Sequence, residues 1–152
     1  MPKIKLPISA TIIALVTVAI ALTLTTFAAI STSQSMSSSG QLTTSADLDL
    51  YSNSACTIPL SSINWGTLNA GENITQTIYV KNTSNGLALT LSMQTSNWTP
   101  TTANGPITLT WNQAGTRLQP GQSIAATLTL AVSSNIADIS SFSVQINITG
   151  TN

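Results

Sequence analysis

The 152-residue sequence predicts an all-β domain, a seven-stranded antiparallel sandwich preceded by one N-terminal hydrophobic helix. Two observations predict the sandwich. From about residue 46 onward, apolar and polar residues alternate with a period of two, which is the period of a half-buried strand. Glycine, asparagine and proline interrupt this alternation every ten to sixteen residues or so, roughly as turns between short strands do.

The N-terminal helix is predicted from an uncharged, mostly apolar run, Leu6 to Ile30, that follows Lys3 and Lys5. Crossing a bilayer takes about 20 such residues, whereas the apolar core of a signal peptide has only about 7–15. Residues 1–30 are therefore predicted to be a transmembrane anchor. A cleaved signal peptide is the alternative, because threonines dilute the run and alanines near its end suit a signal peptidase. A type IV pilin leader is a third alternative, but its processing motif is absent. Either main alternative puts the lysines in the cytoplasm and the later residues outside the cell, membrane-held or secreted.

Residues 31–45 are small and polar, and this composition predicts a Ser/Thr-rich flexible tether. Such a segment has little apolar surface with which to offset the entropy lost on ordering. Alternating leucines begin within residues 41–50, so this part of the chain is a candidate strand. It would pair with the chain's own sheet, which we favour because the two are adjacent in sequence, or with a neighbour's sheet.

Residues 46–152 form the predicted sandwich. Its seven strands are expected at residues 46–52, 61–66, 73–82, 87–94, 106–111, 123–132 and 141–149. Five apolar residues are predicted to face the core, namely Ile78, Leu91, Leu109, Leu128 and Val144, and Leu87 shares the register of Leu91. Pro120 and Gly121 suit the central positions of a type II turn.

The composition excludes several classes of function. Only eight residues are charged and the net charge is zero, so nothing favours nucleic acid as a partner. The chain has no histidine, the commonest general base and metal ligand, and no motif for a cofactor or a metal. We expect a protein that is not an enzyme. The outward positions of the strands are mostly threonine, serine, asparagine and glutamine, which stay neutral at any cellular pH.

Cys56 is the only cysteine, so the chain has no internal disulfide framework. We interpret it as a small buried hydrophobic residue, with an intermolecular bridge as the alternative. Asp47 and Asp49 lack the further oxygen ligands that a calcium site requires.

Four Asn-X-Ser/Thr sequons make Asn73, Asn82, Asn97 and Asn147 candidates for N-glycosylation. Asn82 is expected in a turn and is the best predicted acceptor, whereas Pro100 follows the sequon of Asn97 and disfavours it. The three tryptophans, Trp65, Trp98 and Trp111, are predicted core residues, with a carbohydrate-stacking platform as the alternative.

Residues 51–93, with Trp65-Gly66, Ala70-Gly71 and Asn82, and residues 118–133, with Pro120-Gly121, carry a resemblance. They resemble the small secreted or membrane-anchored immunoglobulin-like proteins of archaea, over about residues 46–150. More loosely, the chain is similar to camelysin-type matrix fibre proteins and archaeal bundling pilins. The resemblance implies an exported immunoglobulin-like sandwich, and the looser one implies subunits that donate an N-terminal strand to a neighbour.

The expected function is that of an extracellular structural or adhesive module at the cell surface. Its partners would be the membrane, through the N-terminal helix, and other copies or other surface proteins. One alternative is a filament subunit assembled by strand donation. Another is a carbohydrate-binding module that uses the tryptophans.

Overall fold

The computed structural model describes residues 35–45 and 47–152, and these residues form an all-β domain. The predicted anchor or signal peptide, residues 1–30, lies outside the described residues. No helix in the described part of the chain is long and apolar enough to cross a membrane. The elements are β1 (Ser35–Thr44), β2 (Leu48–Tyr51), β3 (Ser62–Asn69), β4 (Asn73–Asn82), β5 (Leu89–Thr99), a 3₁₀ turn (Thr101–Ala103), β6 (Ile107–Trp111), β7 (Arg117–Leu118), β8 (Ser123–Val132) and β9 (Ser141–Thr151).

The strands form two sheets around one apolar core, as in a β-sandwich. The five-stranded sheet has the order β3-β1-β9-β5-β7, and the four-stranded sheet has the order β2-β4-β8-β6. Strands that follow one another in the chain therefore always lie in different sheets. Immunoglobulin domains instead keep several consecutive pairs, such as A and B or F and G, within one sheet. The predicted immunoglobulin-like topology is therefore wrong, because alternation along each strand specifies its faces but not its neighbours.

The described residues contain nine strands where seven were predicted, and β1 and β7 are the additional two. The strand β1 occupies most of residues 31–45, so the predicted flexible tether is wrong there. It lies between β3, to which it is antiparallel, and β9, to which it is parallel. Its inward positions are Met36, Ser38, Gly40 and Leu42. Two of these four residues are too small to produce a recognisable hydrophobic alternation, although Met36 and Leu42 are both buried.

The core lies between the sheets and takes residues from all nine strands of the described residues. Ile78, Leu91, Leu128 and Val144 are buried, as predicted, and Leu109 is half-buried and packs against them. The prediction for Leu87 is wrong. Leu87 lies two residues before the start of β5 at Leu89, and the residue is 48% exposed.

Two glycines with positive φ fix the path of the chain at places where the strands change direction. Gly121 has φ +76°, and the Gln122 amide donates to the Gln119 carbonyl at 3.1 Å, which matches the predicted turn. Gly66 has φ +77° beside a bulge in β3, where Trp65 is the extra residue opposite β1. The bulge lets Trp65 enter the core while Ile63 and Leu68 on either side also point inward.

Candidate functional site

The outer face of the five-stranded sheet is the candidate functional surface, and we call the outward residues of β1, β5 and β9 the polar face. Strand alternation puts the large apolar side chains of these strands into the core and leaves the intervening residues outside. Every outward residue of the three strands is serine, threonine, asparagine or glutamine. The polar face is therefore uncharged across three neighbouring strands.

Side chains on the polar face bond to one another across the strands. The Asn147 amide nitrogen donates to Ser96 Oγ at 3.0 Å, and its amide oxygen accepts from the Thr43 hydroxyl. Ser92 and Thr149 share a hydroxyl hydrogen bond of 2.7 Å. Cross-strand pairs of this kind each add a few tenths of a kcal/mol to about 1 kcal/mol of stability. They also hold the surface groups in fixed positions.

A shallow groove of about 620 Å³ crosses the polar face near the start of β1. Its floor includes Ser37, Ser39 and Ser143, and Asn64 and Pro100 lie on opposite sides. A second depression of about 350 Å³ shares Ser39 and Ser143 with it and extends toward the side chains of Asn97 and Gln145. No charged side chain lines either depression among the described residues. The groove can therefore offer neutral hydrogen bonds, but it provides no nucleophile with an activating base.

The four sequons have very different surroundings. Asn73 is exposed at the start of β4, and Asn97 is exposed but donates to Gln145 Oε1 at 2.6 Å. Asn147 is half-buried within the hydrogen-bonded polar face. Asn82 is fully buried as the last residue of β4, so its predicted position in a turn, the basis for expecting it to be the best acceptor, is wrong.

The Asn82 side chain connects three chain segments. Its amide nitrogen donates to the Leu87 carbonyl at 2.8 Å and to the Leu118 carbonyl at 2.9 Å. Its amide oxygen accepts from the Ser84 amide at 2.9 Å. Sequence alone did not reveal this role, because the carbonyl of Leu118 lies 36 positions away in the chain.

The tryptophans do not form an exposed stacking platform. Trp65 is 2% exposed, Trp98 is also buried, and Trp111 is half-buried against the core. Trp98 stacks on Phe142 with ring centroids 5.9 Å apart. The predicted core role is confirmed for Trp65 and Trp98, and the carbohydrate platform built from these residues is wrong.

Two further residues lie on or near β2, at the side of the four-stranded sheet. Cys56 is half-buried in a loop with φ +52°, so its prediction as a buried core residue is wrong. Partial burial raises the pKa of Tyr51, and the nearby Asp49 carboxylate, which accepts a 3.3 Å hydrogen bond from the Tyr51 hydroxyl, raises it further. Among the described residues, no cluster of three or more histidine, cysteine or acidic side chains is suited to a metal ion.

No protein-family model matches the chain, and no curated protein matches it either.

Proposed function

We propose that the chain is an exported, non-enzymatic module at the cell surface, held by its N-terminal segment and acting through the polar face. The observation that carries this proposal is the uncharged face across β1, β9 and β5, with its cross-strand hydrogen bonds. Removing charges from water is costly, whereas hydroxyls and amides can exchange water for neutral partners at small cost. The polar face is therefore suited to close contact with another neutral surface, in a structural or adhesive role.

Export is tested with a tag after Asn152 in intact cells. We expect an added protease to remove the tag, because the domain follows the apolar segment across the membrane. A tag that is protected in intact cells and cleaved after lysis would contradict export.

The adhesive role is tested by placing one carboxylate on each outer face in turn. Ser39→Asp puts a charge on the polar face where its two depressions meet, and Thr77→Asp puts one on the outer face of the four-stranded sheet. We expect Ser39→Asp to weaken attachment between cells, because the carboxylate must be desolvated in the contact. Thr77→Asp is the matched control, and an equal effect of the two substitutions would exclude the polar face as the contact surface.

A filament subunit assembled by strand donation is the second candidate function, and the position of β1 favours it. This strand has partners on both sides, buries Met36 and Leu42, and is joined to β2 only through residues 45–47. A neighbour's copy of β1 would fill the same place between β3 and β9. Exchange of this strand would link the subunits without forming any new kind of contact.

The two functions are separated by comparing residues 31–152 with residues 46–152, which lack β1. For the surface module, we expect the longer form to stay monomeric and the shorter form to aggregate through the open gap between β3 and β9. Concentration-dependent fibres of the longer form that the shorter form cannot make would replace the first proposal with the filament. The measurements are mass in solution and electron microscopy.

A further inference from the structure

Asn73 is set apart from the other sequon asparagines by its surroundings. It is the first residue of β4, its side chain is exposed, and no hydrogen bond engages that side chain within the described part of the chain. Thr75, the third residue of the same sequon, is also exposed. Because alternate residues of a strand point to the same side, the acceptor amide and the threonine hydroxyl are presented together on one open surface.

The other three asparagines are occupied. A sugar on Asn82 would remove one of the two amide hydrogens that hold Leu87 and Leu118, and it would have to fit into a fully buried position. Asn147 uses its amide nitrogen and oxygen within the polar face. Asn97 is bonded to Gln145, and its sequon is followed by Pro100.

The structure assigns Asn73 as the site of an N-linked glycan, an inference that rests on the export proposed above. The donor would be an oligosaccharide carried on a lipid phosphate. The Asn73 amide nitrogen bonds to the anomeric carbon of the first sugar as the bond from that carbon to the phosphate oxygen breaks. The amide nitrogen gives up one proton, and the lipid phosphate leaves.

A glycan at this position has a structural use, because it lies where both sheets have an unpaired edge. Residues 73–78 of β4 pair with β8 on one side, while β2 on the other side reaches only residues 79–82. The turn before Asn73 leads back to β3, an outer strand of the five-stranded sheet that contains no charge and no proline. Proteins usually protect such edges with charges, prolines or covering segments.

A hydrated oligosaccharide on Asn73 would take over this protection. It would hinder strand addition at the side of the sandwich and leave the polar face, on the other sheet, free for its partner. In this way the glycan would limit edge-to-edge pairing in a domain with few charges.

The site is tested on the full-length chain isolated from the cells that make it, by intact mass and glycopeptide sequencing. We expect a glycan on Asn73 and none on Asn82. Asn73→Gln should lose the mass of one glycan, whereas Thr75→Ser, which keeps the sequon, should retain it. A glycan mass unchanged in Asn73→Gln, or glycans only on Asn97 or Asn147, would overturn the inference.

The tag after Asn152 distinguishes this inference from the proposed function. A glycan-free protein whose tag is cleaved from outside the cell overturns the glycan and leaves the surface role standing. A glycan-free protein whose tag is protected overturns both.

The protective role is tested by the mass of the two variants in solution over a range of concentrations. We expect the Asn73→Gln protein to associate as its concentration rises and the Thr75→Ser protein to stay monomeric. If both remain monomeric at every concentration, the glycan does not protect the edges.

Discussion

The two ends of β4 carry the same tripeptide pattern in opposite environments. Asn73-Ile74-Thr75 opens the strand on an exposed surface, and Asn82-Thr83-Ser84 closes it with both Asn82 and Ser84 buried. At the first end, β4 has a strand on one side only. At the second end, β2 and β8 flank it and the loop from Thr83 to Ala88 folds over Asn82.

The difference shows that the surroundings of an asparagine decide whether its side-chain amide bonds to the backbone inside the fold or stays exposed to water. The Asn82 amide replaces water with two carbonyls and one backbone amide, so burial leaves its polar atoms satisfied. Asn73 has no such partners in the described residues and stays hydrated. The largest difference in stability is expected when the side-chain amides of Asn82 and Asn73 are removed in separate variants.

Replacing each asparagine by leucine should lower the free energy of unfolding much more at the Asn82 end of β4 than at the Asn73 end. Asn82→Leu leaves the buried Ser84 amide without this partner, which costs about 1–3 kcal/mol, and it removes one donor each from the Leu87 and Leu118 carbonyls. Asn73→Leu, the matched control, should change the free energy of unfolding by less than about 0.5 kcal/mol. Urea denaturation of non-glycosylated residues 31–152 measures both, and equal costs would refute the structural role of Asn82.

The cost of truncating apolar residues of β4 should rise from its open end toward its buried end, as their burial does. Ile78 is 1% exposed, whereas Ile74, nearer the open end, is only partly buried. Ile78→Ala should cost about 2–4 kcal/mol, through lost burial and a cavity, and Ile74→Ala about half of that. The comparison fails if Ile74→Ala destabilises the domain as much as Ile78→Ala does.

Ser84 should contribute less than Asn82 at the buried end. Its hydroxyl donates to the Leu87 carbonyl at 2.6 Å, but that carbonyl also accepts from Asn82 and keeps one partner. Ser84→Ala should therefore cost about 1 kcal/mol. Combined with Asn82→Leu, it should cost more than the sum of the single changes, since Leu87 then loses both donors.

The smallest expected effect is a change in the pKa of Tyr51. This residue of β2 pairs with Tyr79 in the buried half of β4. Because burial and Asp49 raise the pKa of Tyr51, Asp49→Asn should lower that pKa toward the ordinary value. Ultraviolet absorbance of the tyrosinate measures it. A raised folded-state pKa means that unfolding favours ionisation, so the wild-type domain should lose stability as pH rises through the tyrosine range. Asp49→Asn should reduce this loss, and an unchanged Tyr51 titration would contradict the role of Asp49.

The sequence determined the all-β character, most strand positions and the sides that face the core, as Ile78, Leu91, Leu128 and Val144 demonstrate. These properties are local, since a period of two fixes which residues lie on one face. It also determined the glycine turns, because a positive φ at Gly121 depends on the residue itself.

Only the tertiary structure decided which strands are neighbours and what each asparagine contacts. The sequence of β1 predicted a tether because two of its inward residues, Ser38 and Gly40, are not apolar enough to produce a hydrophobic alternation. The segment is a strand because it pairs with β3 and β9, and β9 is distant in sequence. A Cβ added at Gly40 would lie 2.9 Å from Ile146 Cδ1, so the Ile146 side chain would have to shift to admit a larger residue. Asn82 was likewise a turn residue in sequence and a buried bridge in the fold. Pairing and burial depend on contacts between distant segments, and a local pattern carries no information about those.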